Sequence, residues 1–304
     1  MSISTPTLFL LLLAAALCTH VDSAFLNSTS SCLDKCGSIP IKYPLGTGFG
    51  CGHPEFSPYV RCTDDGATLQ LSTRSGLYTI SAVDYSSSTL TLSDPLMSTC
   101  ASMQNSGSFT LDPTVPFHLV PHDVFVVLGC STSSPVFDSD VQLCDPGASH
   151  VCRGLYSCKG VVGLGLTPGD PVSTCCVYDP PGGVGTGRGY SLDLPKLQCA
   201  SYTCLHGFGE KEGDPTKWKY GIELSFNDSY GTDACDACES SVGTCGFEGA
   251  DESFVCVCRN GVNTTTNCYG QGYTWSGSWK QDQEKKMQMH TLGILLLLIV
   301  LLQS

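Results

Sequence analysis

Apolar and polar residues alternate with a period of two through much of the middle of the chain. Leu69 and Leu71 alternate with polar neighbours, as do Leu90 and Leu92, and Leu77-Tyr-Thr-Ile80 is β-prone. Turn-forming clusters at Asp64-Asp-Gly66, Ser75-Gly76 and Ser86-Ser-Ser88 separate these runs. Phe117 to Gly129 is a further strand candidate, with Val124 to Leu128 unbroken apolar. Trp218, Tyr220, Ile222, Leu224 and Phe226 alternate without a gap and predict one continuous strand with an apolar face. Residues 181–189, rich in glycine, read as a loop or hinge. No stretch sustains a helical period, so the pattern predicts an all-β, or β-dominated, fold.

Two apolar runs lie at the ends. Leu8 to Leu17, followed by Val21 and Ser23 at the −3 and −1 positions before Ala24, predicts a secretory signal over residues 1–23, although no Lys or Arg precedes it. The second run, Thr291 to Leu302, spans roughly 18 Å as a helix, short of the roughly 30 Å of membrane hydrocarbon. Ser276-Gly277-Ser278 and the polar spacer Trp279 to His290 precede it. Small residues, spacer and apolar tail together predict a glycosylphosphatidylinositol anchor attached at Ser276, with a short tail anchor as the alternative. The expected organisation is a signal (1–23), a first cysteine-rich domain (24–104), a second (105–269), a short stem (270–278) and a removed signal or hydrophobic tail (279–304). Sequons at Asn27, Asn227 and Asn263 agree with export as glycosylation sites.

Export changes the meaning of the composition. The 304 residues include 20 cysteines, and only 14% are charged, which excludes a coiled coil or helical bundle, while 41% are hydrophobic, enough for a core. In an oxidising compartment the cysteines become bridges. Losing Cys18 with the signal leaves 20 − 1 = 19, an odd number. Cys32, Cys36, Cys51, Cys62, Cys100, Cys130, Cys144, Cys152, Cys158, Cys175, Cys176, Cys199, Cys235, Cys238, Cys245, Cys256, Cys258 and Cys268 read as disulfide cysteines of open pairing, with Cys204 unassigned. The last six form a cluster whose Cys256-x-Cys258 followed by Gly261 resembles the closing half of an epidermal-growth-factor-like module. Zinc is disfavoured there because extracellular thiols oxidise. The net charge of −13 repels nucleic acid and anionic lipid and excludes both as partners.

No catalytic signature stands out. Gly-x-Ser-x-Gly and His-Glu-x-x-His are absent, and His53, His118, His122, His150 and His206 stand apart in sequence. Asp64 and Asp65 sit in a turn, not as a paired-carboxylate site.

A family resemblance is carried by Cys32-Leu-Asp-Lys-Cys36-Gly37, Ile39-Pro-Ile-Lys-Tyr43-Pro-Leu-Gly46, Cys51-Gly-His-Pro54 and Phe56-x5-Cys62. These resemble the opening of the galacturonan-binding domain of plant wall-associated receptor kinases. Cys175-Cys176, Cys199-x-Ser201-Tyr202, Trp218-x-Tyr-Gly-Ile-x-Leu224 and Cys235-x2-Cys238-x2-Ser241-x-Gly243-x-Cys245-Gly246 are similar to that family's second extracellular domain. Leu45 stands where the family usually has Phe, and no kinase motif occurs in the 304 residues. The resemblance implies a non-catalytic receptor-type ectodomain on the outer face of the plasma membrane, held by a lipid anchor or tail. It implies a pectic polysaccharide as partner, with an extracellular module partnering a receptor kinase, or a truncated receptor, as alternatives.

A polygalacturonate chain presents carboxylates and apolar sugar faces, so its site calls for cations and flat rings. Lys35, Lys42, Arg61 and Arg74 are the cations of the first domain, and Tyr43, Phe56 and Tyr59 its candidate stacking rings, although Tyr43 and Phe56 read equally as core. Six acids face these four bases between residues 32 and 100. No cofactor is expected, and calcium enters only as a bridge between protein and sugar carboxylates, without a calcium-loop motif to hold it.

Overall fold

The computed structural model describes residues 32–105, 107–139, 144, 150–163, 166, 174–178, 190–227, 229–259 and 262–269. The signal, Asn27, the loop 181–189 and the tail with Ser276 lie outside them. Strands dominate, as the alternation predicts. In chain order they are β1 (Lys35–Cys36), β2 (Ile39–Pro40), β3 (Val60–Cys62), β4 (Leu69–Thr73), β5 (Gly76–Asp84), β6 (Thr89–Ser93), β7 (Ser108–Leu111), β8 (Phe117–Leu119) and β9 (Val124–Cys130). After them come β10 (Thr174–Val177), β11 (Tyr190–Asp193), β12 (Ser201–Gly207), β13 (Lys219–Tyr220), β14 (Ile222–Phe226), β15 (Thr244–Glu248), β16 (Ser253–Val257) and β17 (Asn263–Thr264).

The largest sheet is antiparallel, in the order β3-β4-β5-β6-β14-β8. Its register aligns Val60 with Leu71 and Leu71 with Tyr78, then Ile80 with Leu92 and Leu92 with Ile222, all on the buried face. The opposite face carries the row Arg61, Gln70, Thr79 and Ser93. Period-two alternation separates these two faces because successive strand side chains point to opposite sides.

A second sheet, β10-β9-β12-β13, lies across the first core. Its central strand β9 explains the unbroken apolar run. Phe125 and Val127 enter the core shared with the six-stranded sheet, whereas Val126 and Leu128 enter a second core. A strand buried on both faces has no polar side to show. The second core is closed by short helices at His150–Leu155 and Lys159–Gly163 and by Trp218. β7 and β11 pair as a separate ribbon that puts Phe109, Leu111, Tyr190 and Leu192 into the first core.

Three expectations from the alternation are corrected. The run from Trp218 to Phe226 is two strands in two sheets, β13 beside β12 and β14 between β6 and β8. The break is Gly221, at φ +147°, where a Cβ would lie 2.8 Å from Thr91 Cγ2 and 3.0 Å from the Leu92 oxygen. Only glycine allows the chain to cross between sheets so close to β6. Phe117 to Gly129 likewise divides into β8 and β9, in different sheets. Finally, Asp233–Ser240 is a helix. Its signal is local: Thr232 Oγ1 accepts from the Cys235 amide, Asp233 and Asp236 occupy the first turn, and the three-residue spacing of Cys235 and Cys238 puts both sulfurs on one face. Eight residues are too few to hold a helix alone, so its cross-links fix it.

Nine disulfides staple the described residues. The first cysteine-rich segment has Cys32–Cys51 and Cys36–Cys62. The middle carries Cys100–Cys158, Cys130–Cys199, Cys144–Cys176 and Cys152–Cys175. The C-terminal cluster pairs Cys235–Cys245, Cys238–Cys256 and Cys258–Cys268 around β15, β16 and β17. Cys204, on β12, is a free thiol at 0% exposure. Asn227 and Asn263 are both exposed.

The C-terminal cluster is joined to the first segment backbone to backbone. The Phe247 amide donates to the Gly50 oxygen at 2.8 Å, and the Gly52 amide to the Cys245 oxygen at 2.9 Å. A Cβ on Gly246 would fall 2.0 Å from the Gly50 oxygen. Gly246→Ala is therefore expected to lower stability by roughly 1–3 kcal/mol through overpacking. Thermal unfolding checks this against Gly213→Ala, whose Cβ meets nothing within 4 Å and should leave the midpoint unchanged.

Asp123 gives the fold a pH response. Its Oδ2 accepts from the Glu223 amide at 3.0 Å, Oδ1 has no partner, and burial pushes the carboxyl from 3.8 up to about 8, with Glu223 adding to the rise. The folded chain thus keeps a proton that the unfolded chain releases near 3.8. The stability this confers is full below that pH and is lost as pH rises toward 8. His53 and His206, held below 6.5 chiefly by burial, act in the opposite direction, losing their contribution as pH falls below 6.5. Asp123→Asn should flatten the decline between pH 3.8 and about 8. Denaturant unfolding across that range measures it, and an unchanged slope in the variant would exclude Asp123 as its source.

Candidate functional site

The β4–β5 hairpin turns on Arg74 and Ser75, with Thr73 facing Gly76 in the ladder. Its tip is fixed to β7: Ser75 Oγ accepts from the Thr110 amide at 2.8 Å, and Tyr78 donates to the Ser108 oxygen at 2.8 Å. Beyond β6, Asp94 accepts from the Leu96 amide at 2.8 Å and from the Tyr202 hydroxyl, which sets the loop Asp94–Leu96 in place. A third wall comes from the end of β11 and the short helix Leu194–Leu197, capped by Asp193 through the Lys196 amide. Between these walls is an open groove of about 890 Å³.

Arg74 stands at the groove, Nη2 3.1 Å from Asp112 Oδ1. The Arg74 side chain is 78% exposed, so the pair contributes about 0–1 kcal/mol and a ligand carboxylate can replace Asp112 at little cost. Leu77 and Leu96, each 46% exposed, supply an apolar wall, with Pro95 and Pro195 beside them. Burial raises the Tyr78 hydroxyl above its usual range, keeping it a donor at physiological pH. Asp94 and Asp193, the carboxylates at the groove, are engaged in these loop and cap hydrogen bonds. The chemistry on offer is one cation, apolar contact and neutral hydrogen-bonding groups, an arrangement suited to holding a ligand.

Of the cations and rings singled out from sequence as ligand-binding candidates, Arg74 alone is among the described residues lining this groove. Lys35 is exposed on β1. Lys42 is exposed with Nζ 5.8 Å from the centre of the Tyr85 ring. Arg61 lies on the outer face of β3, its Nε donating to Gln70 Oε1 at 3.2 Å. Phe56 is corrected from stacking ring to core residue: at 0% exposure, edge-on to Phe117 at 5.3 Å, it cannot meet a sugar. Tyr59 is partly buried against the same core. Tyr43 is partly buried against the C-terminal cysteines, edge-on to His53 at 6.0 Å, and burial pushes its hydroxyl up to about 12.

Leu77 and Leu96 escaped the search for cations and rings. Strand parity does mark Leu77: with Tyr78 and Ile80 inward, Leu77 must point out. Phe49, 87% exposed between Gly48 and Gly50, carries no such signal, because a glycine-rich loop has no period. The cysteine groups Cys256, Cys258, Cys268 and Cys235, Glu239, Cys245 are compact enough for a metal, but every sulfur in them is in a disulfide and cannot serve as a thiolate ligand.

Comparison with known proteins places these elements. The model of the wall-associated receptor kinase galacturonan-binding domain matches residues 32–94, and that of the wall-associated receptor kinase C-terminal domain matches residues 206–261. The chain is 25% identical over 191 residues to wall-associated receptor kinase-like 15 of Arabidopsis thaliana, an alignment covering 59% of this chain and 28% of that protein. This chain therefore spans less than a third of that relative's length. No solved structure matches. No helix among the described residues is long and apolar enough to cross a membrane. Hairpin, loop and most of the C-terminal cluster thus fall within a chain that is similar, over two separate stretches, to the galacturonan-binding and C-terminal domains of the wall-associated receptor kinases.

Proposed function

We propose that this protein is a non-catalytic, cell-surface polysaccharide-binding ectodomain whose ligand is pectic galacturonan. The observation that carries this reading is the groove at the β4–β5 hairpin: it opens on the domain matched as galacturonan-binding and presents the Arg74 guanidinium where a uronate carboxylate can pair with it. A guanidinium–carboxylate contact supplies direction as well as charge, and Leu77 and Leu96 take the apolar parts of the chain. The bond to a charged group is worth about 1.5–3 kcal/mol, less the weak Asp112 pair it replaces.

Arg74→Ala is accordingly expected to weaken binding of an oligogalacturonide about five- to thirtyfold, as read by calorimetric titration of the secreted protein. Raising salt to about 1 M, where the screening length shrinks to roughly 3 Å, should weaken the wild type and leave the variant nearly unchanged. Affinity independent of both salt and Arg74 would exclude this electrostatic account.

We also propose attachment to the outer leaflet by a glycosylphosphatidylinositol anchor at Ser276, on the pattern of small residues, spacer and apolar tail. Treatment of expressing cells with a phosphatidylinositol-specific phospholipase should release the protein into the medium. Retention on the membrane after treatment would point to a tail anchor instead.

A further inference from the structure

We propose that the groove selects partly methyl-esterified galacturonan over the fully de-esterified chain, pairing one free carboxylate with Arg74 and seating neighbouring methyl esters on Leu77 and Leu96. This rests on the reading of the groove as a galacturonan site and concerns which form of the polymer it takes.

Charge is the first ground. Arg74 is the one cation among the described residues lining the groove, and Asp112 already partners it. The carboxylic acids of the lining are Asp94 and Asp193. Hydrogen bonds from Lys196 hold Asp193 below the usual carboxylate range, so it stays negative. The Lys196 ammonium, 3.1 Å from Asp193 Oδ2, is not among the residues lining the groove. A de-esterified chain brings a carboxylate on every sugar unit. After the first has met Arg74, the next ones face acidic walls with no counter-charge, on a protein of net charge −13. Lys35, Lys42 and Arg61, which might relieve this, do not line the groove.

The second ground is apolar surface. Leu77 and Leu96 are two of the few large hydrophobic side chains exposed among the described residues, and both border this groove. Pro95 and Pro195 extend the same wall. A carboxylate against such a wall is stripped of water without compensation, whereas a methyl ester is neutral and gains by burial. Each methyl group seated there should raise affinity about fourfold. Asn105 and Ser191, both exposed in the lining, remain to bond sugar hydroxyls and ester carbonyls.

The test titrates the full secreted protein with three galacturonan oligomers of equal length: fully de-esterified, about half esterified and fully esterified. The half-esterified oligomer is expected to bind about fourfold or more tightly than the de-esterified one. Leu96→Ser, and separately Leu77→Thr, should remove this preference by weakening the half-esterified oligomer about fourfold more than the de-esterified one. Arg74→Ala should remove the advantage of the half-esterified over the fully esterified oligomer. Thermal unfolding of each variant verifies that it folds; both leucines are half-exposed and outside the core. De-esterified chains binding as tightly as half-esterified ones, or a preference that survives both leucine variants, would overturn this inference alone. Absence of binding to all three oligomers would overturn the galacturonan reading along with it.

Discussion

The structure depends on one strand crossing a long distance in sequence. β14 inserts between β6 and β8, so residues 222–226 complete a hydrophobic ladder begun at residue 60. Without it Leu90 and Leu92 would form an apolar sheet edge, and Phe117 would have no strand to pair with. Closing a loop of this length costs conformational entropy that grows only slowly with length, and the disulfides of the middle segment reduce that cost further. Gly221 is where the cost is concentrated. The chain leaves one sheet and enters another within a single residue, in a conformation and a space that exclude a side chain.

This crossing bears on what the protein binds. The stretch matched as galacturonan-binding ends at residue 94, yet the groove is walled also by residues from 95 to 110 and from 191 to 200. The matched stretch supplies Arg74 and Leu77, and the rest of the chain supplies Asp112, Leu96 and the capped helix opposite. A ligand there touches both parts, which the shared core holds at a fixed distance. On the proposed galacturonan reading, acidity sets the terms of recognition: a chain this negative repels a polyanion at long range, so selectivity would come from one positioned guanidinium and the apolar surface beside it, not from a general positive field.

Much of the scaffold was legible beforehand. The alternation around Leu69, Leu71, Tyr78, Ile80, Leu90 and Leu92 marks the inward face of β4, β5 and β6, because a two-sided sheet imposes period two on its residues. The same parity marks Leu77 as outward. It was not legible that Trp218 and Phe226 belong to different cores, since alternation continues across Gly221 and reports facing, not partner. Nor did type and spacing separate Phe56 from a stacking ring, as burial of an aromatic depends on what packs over it. The helix at Asp233–Ser240 was hidden because its two turns present cysteines in place of the usual aliphatic stripe.

By itself the sequence determined local chemistry: which residues alternate, where turns fall, that so many cysteines read as cross-links, and which domain family their spacings resemble. These are properties of neighbours along the chain, set by backbone period and side-chain type. Only the tertiary structure decided which sulfur meets which, that the thiol of Cys204 is buried, and that Arg74 out of four candidate cations meets Leu77 and Leu96 at a groove. The reason is that pairing and enclosure are relations between residues distant in sequence. Register, a strand crossing between sheets and the closure of a shared core settle them together, and no short stretch of the chain encodes them alone.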